Sequence, residues 1–299
     1  MKKEEALITA EKVKSRIADC IIWTLLLAFT LSCLIPLVNL VAISFSDNAA
    51  ASANIVSIFP VNPTFSSYEK LLSDTQFWRS FMISVERVFF GLIVNMGLMI
   101  LTAYPLSKSS RQFRGQKVYM NLVIFAMLFS GGLIPTFMVV KELHLLDSIW
   151  ALILPGAVPI GNVILLMNAF RAVPKSLEEA ATIDGATQWR ILVRIYLPVV
   201  MPTLATVMLF TIVAHWNDYF GALVYINKAS NYPLQTYIQQ LSVEVQNITD
   251  PQKLMELAKV SDKTLNAAKI VVSTLPLLII YPFMQKYFVS GIVVGSVKE

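Results

Sequence analysis

Ser176-Leu177-Glu178-Glu179-Ala180-Ala181-Thr182-Ile183-Asp184-Gly185-Ala186 is a charged, helix-competent stretch between two long apolar runs, continuing through Thr187-Gln188-Trp189-Arg190 to Ile195-Tyr196-Leu197-Pro198. Ser176 with Glu179 three residues on has the spacing of a capping box, in which each side chain satisfies a backbone donor at a helix start. Pro174 marks where the preceding element stops. Gly185 falls where a helix closes in a left-handed residue, a conformation that is costly for any residue with a Cβ. A second helical segment carries Trp189, Leu192, Val193 and Tyr196 until Pro198 breaks or restarts it. The stretch reads as a short helix, a tight turn and a second helix.

Helical spacing places Leu177, Ala180, Ala181 and Asp184 on one face. Small side chains beside a carboxylate let another protein approach closely in a fixed register; an amphipathic helix lying on lipid is the alternative. Local physics leaves both open, and the wider pattern separates them. Glu179-Ala180-Ala181, then Gly185, then Ile195 and Leu197-Pro198, with Asp184, Ala186 and Pro202, resembles the EAA motif of ABC importer permeases. The resemblance implies a coupling helix that docks in a cleft of a separate ATP-hydrolysing subunit through Glu178, Glu179, Ala180, Ala181, Asp184, Gly185 and Ala186. In that scheme Glu179 anchors the docking, Gly185 allows the turn, and Ala180 and Ala181 permit close approach.

Further segments are similar to the sugar-importer branch, the type of the smaller maltose-transporter permease. They are Phe59-Pro60 with Tyr68, Ala103-Tyr104-Pro105-Leu106-Ser107, Phe113-Arg114-Gly115, Leu145-Leu146-Asp147-Ser148, Trp216-Asn217-Asp218 and Tyr287-Phe288-Val289-Ser290-Gly291. The resemblance therefore covers nearly the whole chain. It implies a type I ABC importer permease fold in a pseudo-symmetric heterodimer with a second, related permease. It also implies two ATPase subunits, an external solute-binding protein and a carbohydrate substrate.

Composition gives the class independently. The 299 residues are 56% hydrophobic and 14% charged, with mean hydropathy +0.64, whereas soluble domains carry nearer a quarter charged residues. The chain reads as an all-α polytopic membrane protein. Its net charge of +5 calls for no nucleic acid, because cytoplasmic loops of membrane proteins collect Lys and Arg. Cys20 and Cys33, in or beside the first apolar run, read as buried small hydrophobes rather than a disulfide or metal site.

Apolar runs cover residues 20–45, 88–106, 118–140, 148–170, 198–222 and 265–284, each near the ~20 residues that cross a bilayer core. Six transmembrane helices are expected, with Glu86-Arg87 at or inside the second. The first run, with Ala49-Ala50-Ala51-Ser52-Ala53 behind it, far exceeds the ~7–15 residues of a signal-peptide core and is expected to stay as a span. Lys and Arg concentrate in the N-terminal tail, residues 107–117 and residues 171–197, and are sparser in 46–87, 141–147 and 223–264. This predicts that both termini and the coupling loop are cytoplasmic in a bacterial cell membrane. The expected organisation is a basic tail, first span and external loop over 1–75, a permease core over 76–286 with the coupling loop at 171–197, and a cytoplasmic tail over 287–299. Tyr225, Tyr232 and Tyr237 in the last external segment suit a polar partner or sugar. The sequon at Asn247 carries no meaning in a bacterial permease.

No residue pattern is catalytic. No Gly-x4-Gly-Lys-Ser/Thr phosphate loop occurs, and His144 and His215 lack metal-site spacing, so no cofactor is expected. His215 and Asp218, flanking Trp216 and Asn217, either line a substrate pathway together with Asn168 or form a hydrogen-bonded cluster with Trp216 as an interfacial anchor. Asn95 and Asn168 also suit interhelical hydrogen bonding. Pro135, Pro155, Pro159 and Pro276 predict kinks, Gly131-Gly132 a hinge or close packing point, and Lys269 a snorkelling side chain. An ion-coupled secondary transporter would place acidic groups near mid-bilayer, where these spans have almost none. A membrane enzyme would need paired carboxylates, a His cluster or a nucleophile, none of which is visible.

Overall fold

The structure, a computed structural model, describes residues 2–246 and 263–296. Among them it is all helical. The long helices are α1 (Lys2–Ser44), α4 (Thr75–Ser107), α12 (Met201–Asn217) and α15 (Lys263–Ser296). Shorter ones are α2 (Asn48–Ser52), α3 (Ser66–Ser73), α5 (Gln116–Leu128), α6 (Leu133–Glu142), α7 (Ile149–Ile153) and α8 (Ile160–Ala172). These are followed by α9 (Lys175–Ile183), α10 (Gln188–Ile191), α11 (Leu197–Val199), α13 (Phe220–Tyr225) and α14 (Leu234–Gln246). The chain divides into two compact units, Met1–Ser73 with Ile248–Val271 and Asp74–Asn247 with Val272–Glu299. Residues 287–296, expected as a tail, continue α15.

Among the described residues, three segments are long and apolar enough to cross a membrane unaided: Asp19–Ser44, Thr75–Ser107 and Lys263–Phe283. Three more are bent pairs. Gln116–Leu128 meets Leu133–Glu142 at 115°, Ile149–Gly156 meets Ile160–Ala172 at 54°, and Gln188–Val199 meets Met201–Asn217 at 84°. Each pair taken as one span gives six. The sharpest break falls at the predicted Gly131-Gly132 hinge, and the mildest at Pro155 and Pro159. The fifth span starts ten residues earlier than expected, because Pro198 does not end the helix. Leu192–Tyr196 widens into a π-turn just ahead of it, which relieves the clash of a proline ring with the carbonyl four residues back. The bend comes at Val200, before Pro202. Glu86 and Arg87 lie well inside α4.

In the first unit, Ala42, Ala50, Ala51 and Val56 form a small core at the end of α1. Asn39 Nδ2 fastens that end by donating to the carbonyls of Val56 and Ser57 at 3.2 and 2.7 Å. Tyr68 packs on Phe45 and shares a 2.9 Å hydrogen bond with Ser44. Residues 19–38 of α1 have their apolar side chains uncovered by this chain, and Cys20 and Cys33 are exposed among them rather than buried. Lys269, expected to snorkel, is instead buried. In the second unit, the main core joins Met99, Ala103, Val163, Leu166, Phe170, Leu204 and Val207 from α4, α8 and α12. A second cluster holds Val140, Leu152, Ala222, Tyr225 and Tyr232. Two of the tyrosines expected to greet a partner therefore serve as core.

Candidate functional site

The loop between α8 and α12 has the predicted helix–turn–helix form, but its cap differs. Pro174, with φ −57° and ψ 128°, occupies the N-cap, so the helix begins at Lys175 and Ser176 already lies inside it with no capping bond. The proline's fixed φ sets the entry two residues ahead of the predicted capping box. Thr187 caps the second helix instead, its Oγ1 accepting from the Arg190 amide at 3.3 Å. The turn is as expected. Gly185 has φ +72°, its amide donates to Thr182 O at 3.1 Å, and the Ala186 amide donates to Ala181 O at 2.9 Å. That pair of bonds is a Schellman closure.

The two adjacent glutamates have opposite fates. Glu179 is exposed, as are Ala180 and Asp184, and Ile183 at the helix tip is 86% exposed with Trp189 and Leu177 also bare. Ala181 and Ala186 instead lean on the chain's own core. Glu178 is buried. Its Oε1 accepts from Lys108 Nζ at 2.8 Å and Gln112 Nε2 at 3.3 Å, and its Oε2 from the Tyr196 hydroxyl at 2.6 Å. Lys108 Nζ also donates to Tyr196 Oη at 3.0 Å and lies 4.3 and 4.2 Å from the ring centres of Tyr104 and Tyr196, in cation–π range. Phe170 closes the aromatic wall against both tyrosines. Burial disfavours ionisation of Glu178, but the hydrogen bonds from Lys108 and Tyr196 and the lysine's charge outweigh it and hold the carboxyl below its usual range. A cavity of about 1100 Å³ opens beside this cluster, lined by Lys108, Gln112, Arg171, Lys175, Glu179 and Gln188 among others.

A second polar layer crosses α4 and α12. Arg87, buried, pairs with the Asp218 carboxylate and donates to the carbonyls of Asp218 at 2.9 Å and Leu152 at 3.2 Å. One turn along α4, Gly91 lies flat against the His215 ring. Another turn on, Asn95 Nδ2 and His215 Nε2 share a 3.0 Å hydrogen bond. His215 and Asp218 are thus brought together through α4. Asn217 and Asn168 are exposed and outside the cluster. Trp216 is buried, donating from Nε1 to Ser273 O at 3.1 Å with Phe81 against its ring, so it is no interfacial anchor. Arg87 was not singled out as a site residue in the sequence; an arginine in an apolar run was its only signal.

Asp147, in the Leu145-Leu146-Asp147-Ser148 stretch, has φ +60° and pins the segment after α13. It accepts from the Asn227 amide and side chain and from the Lys228 amide. Those bonds, the Asn227 side chain's first, hold its carboxyl below the ordinary value. No group of three His, Cys, Asp or Glu among the described residues is placed to hold a metal ion. Asn247 lies outside the described residues.

Six apolar helical spans, each bent pair taken as one, with a short exposed helix and turn leading into the fifth, describe an integral-membrane protein. The family's sequence profile, binding-protein-dependent transport system inner membrane component, matches residues 98–294, and the chain belongs to that family. It is 39% identical over 287 residues to the polygalacturonan/rhamnogalacturonan transport system permease protein YtcP of Bacillus subtilis, covering 96% of this chain and 100% of that one. It is 40% identical over 265 residues to protein LplC of the same organism, covering 89% of each. Among solved structures, a chain of a bacterial ABC transporter involved in import of the acidic polysaccharide alginate superposes with a TM-score of 0.82. That match is 33% identical and covers 91% of this chain and 97% of the other.

Proposed function

We propose that this chain is the permease subunit of a bacterial ATP-driven importer that moves an oligosaccharide handed over by an external solute-binding protein. The carrying observation is the full-length match, at 33% identity, to a subunit of an alginate importer. The polygalacturonan/rhamnogalacturonan permease relative points to the same cargo class. A second, related permease is expected against the uncovered face of α1, and two ATPase subunits on the cytoplasmic side. The bare Glu179, Ala180, Ile183 and Trp189 supply a docking surface, with Gly185 setting its angle. ATP binding closes the ATPase pair and shifts the docked loop, the spans turn from inward-facing to outward-facing, and hydrolysis resets them. Asn168 and Asn217 are the pathway candidates on accessible surface, with His215 and Asp218 fixing the helices behind them.

Two experiments test this reading. The complex reconstituted with its ATPases and binding protein should take up oligosaccharides from a panel of neutral and acidic chains when ATP is inside, without an ion gradient. Uptake driven by a proton or sodium gradient alone would favour a secondary transporter instead. A cysteine at Ala186 should resist an impermeant thiol reagent in intact cells while one at Ser66 reacts, as the Lys and Arg distribution requires. Labelling of Ala186→Cys from outside would overturn both the orientation and the coupling-loop role.

A further inference from the structure

We propose that Glu178 is an internal positioning residue: with Lys108 and Tyr196 it forms a strut that makes the coupling helix move as one body with α4 and the bent fifth span. This rests on the coupling-loop reading above and assigns the first glutamate of the pair a role opposite to the second. Three observations carry it. The Glu178 carboxylate is filled, with two donors on Oε1 and one on Oε2, all from its own chain. Those donors come from three separate places: Lys108 caps the end of α4, Gln112 follows in the next loop, and Tyr196 lies in the π-turn of the fifth span. The charges are sequestered, with side-chain exposures of 8% for Lys108 and 10% for Glu178. A docking partner would have to displace an ion pair already desolvated, and breaking such a pair costs more than an exposed one returns.

The far end of the same helix pair is also pinned. Arg87 lies about 30 Å along α4 from Lys108 and pairs with Asp218 at the other end of α12. α4 is therefore tied to the fifth span at two separate levels, by Lys108 with Tyr196 at its C-terminal end and by Arg87 with Asp218 further back along the helix. The Gly91 contact and the Asn95–His215 bond lie between. A push on α9 enters this tied pair through one carboxylate. Glu179, on the next position of α9, faces out and is free to meet the ATPase.

The test uses the assembled complex with its ATPases, Cys20 and Cys33 replaced by Ser, and a reporter thiol introduced by Asn217→Cys. Hydrogen exchange of α9 amides reports the strut directly. The change in reporter labelling between nucleotide-free and ATP–vanadate-trapped complex reports transmission, and phosphate release reports hydrolysis. Glu178→Gln and Lys108→Met should each raise α9 exchange about tenfold, the size expected for losing a charge-assisted hydrogen bond. The double variant should be no worse than Lys108→Met. Both should keep the ATPases bound and hydrolysing while the labelling change collapses. Tyr196→Phe, which keeps the ring and removes one donor, should give a milder version if either charge variant assembles poorly. Unchanged α9 exchange in Glu178→Gln overturns the strut. So does loss of ATPase binding in Glu178→Gln with Lys108→Met silent, because Glu178 would then be an external contact. Glu179→Lys serves as the separate check. If it alters neither ATPase binding nor hydrolysis, the coupling-loop reading fails, while the exchange data still decide the strut.

Discussion

Gly91→Ala is the most pointed single change the fold allows, because one methyl group would be added where α4 meets α12. A Cβ built there stands 2.5 Å from His215 Nε2, 2.7 Å from Cδ2 and 2.9 Å from Cε1. Non-bonded heavy atoms settle near 3.5–4.0 Å, so the helices must part by about 1 Å or the ring must turn. The ring is buried and cannot swing into solvent. Overpacking of this kind costs about 1–3 kcal/mol, and a turned ring gives up the Asn95 bond for about 1 kcal/mol more. Alanine's better helix propensity returns about 1 kcal/mol, leaving a net loss of about 1–3 kcal/mol. Gly97 on the same helix is the control, since a Cβ there meets nothing within 4 Å and Gly97→Ala should gain up to about 1 kcal/mol. The assay is the thermal midpoint of the purified complex in detergent, followed by tryptophan fluorescence. Gly91→Ala should melt below wild type and Gly97→Ala at or above it. In a His215→Ala background the Gly91→Ala penalty should shrink, because the obstructing ring is gone. Equal midpoints for the two glycine variants, or a penalty unchanged by His215→Ala, would refute the close-contact argument.

Asp218→Asn should lower complex stability, though by less than the ~3–5 kcal/mol of a fully buried pair because the Asp218 side chain is 36% exposed. Transport per assembled complex should stay near wild type, as uptake normalised to complex in membranes would measure. Gly185→Val meets no neighbour, so its cost is backbone alone, about 1 kcal/mol or more at positive φ. Membrane levels should hold while ATPase co-purification weakens. For pH, the Glu178 carboxyl is held below its usual range, so its contribution to α9 order is present above that range and lost as pH falls beneath it. Exchange of α9 amides should therefore be steady from neutral to mildly acidic pH and then rise, and Glu178→Gln should abolish that rise.

The spans were legible because lipid demands long apolar runs, and the turn at Gly185 because few residues but glycine accept its backbone. Span interiors were less so. A run such as 118–140 looks continuous in hydropathy; Gly131-Gly132 marked a place to turn or pack closely, but composition does not record direction, so the 115° fold there was not legible in size. The π-turn ahead of Pro198 was hidden for a related reason: a proline signals an end in most helices, and only the packed fifth span makes a widened turn preferable. Ser176 and Glu179 had capping-box spacing, but Pro174 claimed the position. The division of labour between Glu178 and Glu179 depends on Lys108 and Tyr196, which are distant in sequence. No local pattern at residues 176–186 could assign which carboxylate turns inward.

The tie between residue 178 and residues 108 and 196 bears on transplantation of the coupling loop between permeases. A graft confined to residues 171–186 would carry the outward recognition surface but leave its inner anchorage behind, and the imported carboxylate would face whatever stands at 108 and 196 in the host. A working chimera has to move those positions as a set, or keep the host's residue at 178 while exchanging its neighbours. The boundary of the exchangeable module is therefore drawn by side-chain partnership through the core rather than by the ends of the loop.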